Sequence, residues 1–233
     1  MAKIRSLFET QGSIAGYTTI NSKAYETHIR AARGSKSKVE VNDTLKAHNT
    51  LLTSANVPAR LVKNAIVEYR SDFPGGQLWQ DLAGMFKKQL KEERPLSIGM
   101  LKYKHINPNY PLSRLLKCGI PSAISVESGL ISVTLHELYP MFQRKTIDDY
   151  QTEVIAIFID FDKQETTSDS STSKIIPLNY AEILNFELKG GKPGDQYLIC
   201  LKLIGCSKGL VQIGNSTRGM QVIDTGIVEG DKV

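Results

Sequence analysis

Cysteine is scarce in this chain: Cys118, Cys200 and Cys206 are the three, and no two form a C-x-x-C pair. An odd, scattered set excludes a disulfide scaffold and a cysteine-built structural zinc site. Cys200 and Cys206 share parity in a strand-like run, and all three are expected to pack as small core hydrophobes. Tryptophan is rarer still, with Trp79 alone on a helical core stripe. A single Trp on a core stripe argues against a solvent-facing aromatic platform for sugars. Long apolar runs are also missing. The opening MAKIRSLFETQGS lacks the apolar core of roughly 7–15 residues that a signal peptide needs. No stretch approaches the ~18 apolar residues of a membrane span. The expectation is therefore a chain made and folded in the cytoplasm, with no membrane partner, for which release by lysis within an assembly stays open.

Catalytic signatures are missing too. The four histidines, His28, His48, His105 and His136, are dispersed, and none pairs at i, i+4 with another. Asp148-Asp149 and Asp160-x-Asp162 are the carboxylate clusters. Residues two apart on a strand point to one side, a start for a hard-cation site, but no third or fourth ligand follows. They read as strand ends meeting water. Gly75-Gly76, Gly190-Gly191 and Gly205 to Gly209 fit neither a P-loop nor a dinucleotide fingerprint. Gly190 to Asp195 reads as a tight loop with glycine supplying positive φ. Ser122, Ser125 and Ser128 have no histidine or acid nearby in sequence, and no G-x-S-x-G elbow exists. No catalytic residue, no metal ligand and no cofactor is expected.

Charge is what the chain does have, and it is divided. Residues 1–120 carry 12 Lys and 7 Arg against 9 acids, a net +10, whereas residues 121–233 carry 8 Lys and 2 Arg against 15 acids, a net −5. Composition is otherwise ordinary, at 41% hydrophobic and 23% charged residues. Arg30, Arg33, Lys36 and Lys38 fall within nine residues, just after Tyr25 and His28. With Lys87, Lys88 and Lys91 they form the candidate nucleic-acid-binding set, able to neutralise phosphates beside stacking aromatics. A solvated face, or contact with acidic neighbours in an assembly, explains the same residues. No RRM, zinc-finger or helix-turn-helix signature favours nucleic acid.

The pattern along the chain predicts three segments. Residues 1–40 read as an N-terminal β-hairpin arm: Ser13 to Ile20 and Ala24 to Ala31 as strands, Asn21 to Lys23 as the turn, Gly16 as a bulge, and Gly34 to Lys38 as a basic loop. Residues 41–121 read as a helical region with a Pro-rich connector. Asn42 or Asp43 caps a first helix with Leu45, Leu51, Leu52 and Ala55 on its apolar side, and Asn56-Val57-Pro58 breaks it. A second helix carries Leu61, Val62, Ala65, Ile66 and Tyr69, and a third, after an Asp72–Gly76 loop, carries Leu78, Trp79, Leu82, Met85, Phe86 and Leu90. Residues 122–233 read as an antiparallel β-sandwich of Ig-like type, with seven or eight short strands. Val154 to Ile159 is nearly continuous, as a central strand buried on both faces would be. Gln164 to Ser173 reads as a flexible polar loop. The fold class is α+β.

The opening Met1-Ala2-Lys3-Ile4-Arg5-Ser6-Leu7-Phe8, then Gly12-Ser13-Ile14, Ile29-Arg30, Gly34 and Ser37-Lys38, resembles a group of uncharacterised proteins from Bacteroidota genomes and their mobile elements. The resemblance is specific over about the first 40 residues and architectural afterwards. It implies a hairpin, a helical middle and a C-terminal sandwich, but no activity and no site residues. The chain departs from the group at Ala15-Gly16-Tyr17 and in a longer Pro-rich connector.

The function these features favour is a non-enzymatic structural subunit. It assembles with itself into a filament, tube or particle shell through its basic front and acidic back. Head-to-tail contacts of that kind close into rings or run on as filaments. One alternative is a nucleic-acid-binding module using the basic set. Another is a small-ligand or carbohydrate-binding sandwich, or an enzyme.

Overall fold

A computed structural model describes residues 12–14, 17–22, 26–31, 42–70, 77–109, 111–127, 129–144, 146–212 and 217–229. The chain divides into two compact units, residues 1–47 and 48–233. The expected segmentation put the helices and the sandwich in separate segments. They form one unit instead, because a single sheet uses the helices to cover one of its faces.

In the first unit, strands β1 (Gly12–Ile14), β2 (Tyr17–Ser22) and β3 (Glu26–Ala31) form a three-stranded antiparallel sheet. Tyr17 lies opposite both Ile14 and Ala31, and Ser22 opposite Glu26. The second expected strand is there as β3, but the first, Ser13 to Ile20, is split into antiparallel β1 and β2, and Asn21 and Ser22 of the expected turn belong to β2. The predicted bulge at Gly16 and the basic loop Gly34–Lys38 lie outside the described residues.

Helix α1 (Asp43–Tyr69) is continuous, which corrects the predicted break at Asn56-Val57-Pro58. Asn42 caps it, its Oδ1 accepting the Leu45 N–H at 2.8 Å. Pro58 removes one intrahelical hydrogen bond but is itself buried beside Ala55 and Ala59, so packing holds the turn. Leu45 and Leu52, expected on the apolar side, are exposed. Val62, Ala65 and Ile66 are buried as the stripe requires. Helix α2 (Leu78–Lys91) buries Leu78, Leu82, Met85 and Phe86. The Asp72–Gly76 loop lies outside the described residues.

The second unit has three layers. Its middle layer is a six-stranded antiparallel sheet whose centre is β6 (Asp149–Asp160) paired with β10 (Gln196–Ser207). The register runs from Ile159 opposite Gln196 to Asp149 opposite Cys206. Flanking β6 are β7 (Glu165–Thr172) and β8 (Ile176–Pro177); flanking β10 are β11 (Leu210–Val211) and β12 (Arg218–Ile227). A second sheet has the order β4 (Ser122–Glu127), β5 (Leu130–Leu135), β9 (Leu184–Lys189).

Side-chain alternation then sorts the core. Ile155, Ile157 and Ile159 of β6, with Leu198 and Cys200 of β10, pack against Val62, Ile66, Leu82 and Phe86 of the helices. Val154, Ala156 and Phe158, with Ile199, Leu201 and Leu203, pack against Ile131, Val133, Leu135, Phe186 and Leu188 of the smaller sheet. The continuous apolar run of β6 is thus buried on both faces, and each face belongs to a different core. An Ig-type sandwich leaves both outer faces to water. Here the outer face of the larger sheet lies under α1 and α2.

The β7 strand corrects the expectation of a flexible loop at Gln164–Ser173. Residues 165–172 pair with β6 in unbroken register, Glu165 opposite Asp160 through Thr172 opposite Glu153. Its Ser and Thr residues suit a strand exposed on most of its surface.

Polar side chains pin the connector after α2. Gln89 is buried; its Nε2 donates to the Ser97 carbonyl at 2.7 Å and its Oε1 accepts the Ser97 N–H at 2.9 Å. Gln196 accepts from the Ile98 N–H and donates to the Leu96 carbonyl, so β10 holds the same segment. Residues 103–106 then pair with β12 through Tyr103, Lys104 and Ile106, covering that sheet edge.

Candidate interaction surfaces

The basic set is only partly brought together by the described structure. Lys87, Lys88 and Lys91 share one side of α2, opposite its buried stripe; Lys88 and Lys91 are exposed, and Lys87 is half-buried. Lys87 Nζ lies 3.2 Å from His48 Nε2 on α1, which accepts when the ring is neutral. Lys63 Nζ sits 5.6 Å above the Trp79 ring. These two contacts join opposite ends of the helices, so α1 and α2 run antiparallel. Trp79 is half-buried on the helical core. Arg30 falls in β3, and its side chain, with Arg33, Lys36 and Lys38, lies outside the described residues.

The carboxylates with metal potential serve as turn caps. Asp160 Oδ1 accepts the backbone N–H groups of Asp162 and Lys163 at 3.0 Å, and its Oδ2 lies 2.6 Å from Lys163 Nζ. The hydrogen bond from Lys163 holds the Asp160 carboxyl below the usual aspartate range. Asp148 accepts the Lys208 N–H and fixes the turn between β10 and β11. Among the described residues, no group of three His, Cys, Asp or Glu side chains could hold a metal ion. His105 has its Nδ1 buried with no partner among the described residues, and burial lowers its pKa.

The Gly190–Asp195 loop has glycine at positive φ, as expected, at one position, Gly194, with φ at 91°. Gly190 and Gly191 are required for space: a Cβ would meet the Leu130 nitrogen at 2.5 Å and the Phe158 ring at 2.3 Å, respectively.

Cys200 and Cys206 are buried as expected, but Cys118 is exposed. It sits on the connector before β4, whose Lys117 N–H donates to the Tyr139 carbonyl. Beside it, a cleft of about 440 Å³ opens between this connector and β12, floored by Leu116, Ile120 and Ile223. Burial raises the thiol pKa of Cys206 and raises that of Cys200 further.

Among the described residues, β9 pairs only with β5 and lies beside β7, whose Asp169 Oδ2 accepts the Lys189 N–H. β4 pairs only with β5, and β7 only with β6; neither makes another backbone-to-backbone hydrogen bond among the described residues. Neither contains Lys or Pro, the residues that commonly guard an edge. Edges arise from tertiary pairing, so sequence alternation alone could not reveal them. The Ser/Thr-rich β7 sequence carried a signal only in its β-branched threonines.

No helix among the described residues is long and apolar enough to cross a membrane. No protein-family model matches the chain, and no curated protein matches it.

Proposed function

We propose that the protein is a non-enzymatic structural subunit that assembles with copies of itself. The observation that carries this reading is the N-terminal sheet. Its strands have three, six and six residues. A sheet of three short strands is stable on its own only with a hydrophobic face or a packed neighbour. Tyr17, its large aromatic at the β1–β2 pairing, is 60% exposed. Its unit carries eight basic and four acidic residues, while the C-terminal half of the chain is acidic. A small basic sheet and the acidic C-terminal half of the chain are complementary parts for head-to-tail contact.

A second reading, nucleic-acid binding, is favoured by the run of Lys87, Lys88 and Lys91 along one side of α2, with Lys63 over Trp79 at the other end of that helix. The two readings are compatible in a shell that packs nucleic acid. Size exclusion with light scattering, recording the 260/280 nm absorbance ratio, separates them. A large species with a protein-like ratio supports assembly alone. A raised ratio that falls after Lys88→Glu with Lys91→Glu adds nucleic acid. A monomer with a protein-like ratio rejects both.

A further inference from the structure

We propose that the cleft beside Cys118 binds a small carboxylic acid with an apolar body, the chain lying on Leu116, Ile120 and Ile223 and the carboxylate meeting Lys117. This goes beyond the assembly reading and does not rest on it. The two walls of the cleft are held in place by bonds made elsewhere. One wall is the connector before β4. Its Lys117 N–H donates to the Tyr139 carbonyl, its Leu115 carbonyl accepts the Met141 N–H, and its Pro121 carbonyl accepts the His136 N–H. The other wall is β12. The Tyr103 N–H donates to its Val222 carbonyl, and its Gln221 Nε2 donates to the Tyr103 carbonyl. At Gly219 the walls touch, since a Cβ there would meet Leu112 Cα at 2.8 Å. By Gln221 and Ile223 they have parted, leaving a gap of about 440 Å³. A pre-formed cleft of that size suits a small molecule and costs little ordering on binding.

The lining selects the occupant. Leu116 and Ile223 are buried and Ile120 is half-buried, so the floor is apolar. Among the described residues, Lys117 is the one charged side chain in the lining, and it is exposed and makes no ion pair. The carboxylates of adjoining segments are already engaged. Asp224, next to Ile223, binds Lys102 Nζ at 2.7 Å and accepts from the Tyr197 hydroxyl, and Glu137 accepts from the Tyr139 hydroxyl. Ser113 and Ser122, both exposed in the lining, add hydroxyl donors. A carboxylate thus meets a cation and donors, whereas an amine would meet a like charge and no lining carboxylate.

Cys118 lines the same cleft, so its thiol reports occupancy in the full-length protein. The probes are butanoate, hexanoate and octanoate, and the reading is the rate of Cys118 alkylation by iodoacetamide. Octanoate is expected to slow alkylation saturably. The half-protecting concentration should fall about fourfold for each methylene added along the series. Lys117→Gln should raise that concentration about fivefold for octanoate. Octylamine, with the opposite charge on its head, should not protect. Ile120→Trp fills the cleft and should abolish protection by octanoate. A rate unchanged by octanoate up to about 10 mM overturns the site. Equal protection by octylamine, or undiminished protection of Lys117→Gln, overturns the choice of a carboxylate. Equal protection of Ile120→Trp overturns the site as well, because the acid then binds elsewhere on the protein. Should Ile120→Trp lose its native circular dichroism, Ser122→Phe, at the exposed start of β4, fills the cleft from its rim and repeats the test.

Discussion

Lys202 Nζ lies 3.0 Å from a carboxylate oxygen of Glu153 and 3.1 Å from the carbonyl of Tyr69. The lysine is 6% exposed, in the middle of β10, with Glu153 opposite it in register on β6. One buried cation thus joins the two central strands to the end of α1, where unpaired carbonyls favour positive charge. The Tyr69 hydroxyl donates to Ser168 Oγ at 2.8 Å, tying β7 to the same helix end.

Replacing Lys202 alone should therefore be costly. Lys202→Ala leaves the partly buried Glu153 carboxylate unpaired, and urea unfolding is expected to show a loss of about 2–3 kcal/mol. Lys202→Met with Glu153→Met removes both charges and should recover most of that loss. Equal destabilisation in the two variants would show that packing, rather than the unpaired charge, sets the cost.

Tyr150 is fully buried, and its hydroxyl has no hydrogen-bond partner among the described residues. Tyr150→Phe is expected to leave stability unchanged or raise it by up to about 1 kcal/mol, since it removes an unsatisfied polar group. A loss above 1 kcal/mol in thermal or urea unfolding would reveal a partner for that hydroxyl.

The same tyrosine predicts an alkaline limit. Burial pushes its pKa from 10.0 up to about 12, and burial with the nearby Asp224 carboxylate does the same for Tyr197. Below pH 10 the phenols are neutral in folded and unfolded chains alike. Above it the unfolded chain releases protons that the folded chain keeps, so stability falls as pH rises towards 12. For Tyr150 the slope is about 1.4 kcal/mol per pH unit across that window. Tyr150→Phe should flatten the curve of unfolding midpoint against pH between 10 and 12, and an unchanged curve would assign the effect to other groups.

Thiol chemistry tests the three-layer packing. One equivalent, Cys118, should react with a thiol reagent in the native protein, and three after denaturation. Cys118→Ser should abolish the native reaction. Rapid native reaction of a second thiol would mean that the helices leave the sheet readily, exposing Cys200.

Much of the second unit was legible because its signals are local or periodic. The run from Val154 to Ile159 announced a strand with two buried faces, and the two faces proved to serve two cores. The stripe Val62, Ala65, Ile66 marked the buried side of α1. Misreadings arose where tertiary support outweighed local preference. Pro58 stays helical because its turn is buried, and Ser/Thr-rich β7 is a strand because β6 supplies an edge to pair with. The candidate surfaces were less legible. Lys87, Lys88 and Lys91 could be placed on one side of a helix from sequence, whereas the edges of β4 and β7 follow from which strands pair beside them.

The most direct test of self-assembly is light scattering of the full-length chain over a concentration series, at low salt and at about 1 M salt, where charge attraction is screened within roughly 3 Å. The account predicts masses at multiples of 25.8 kDa that grow with concentration at low salt and fall towards one subunit at high salt. A constant 25.8 kDa under every condition would contradict it.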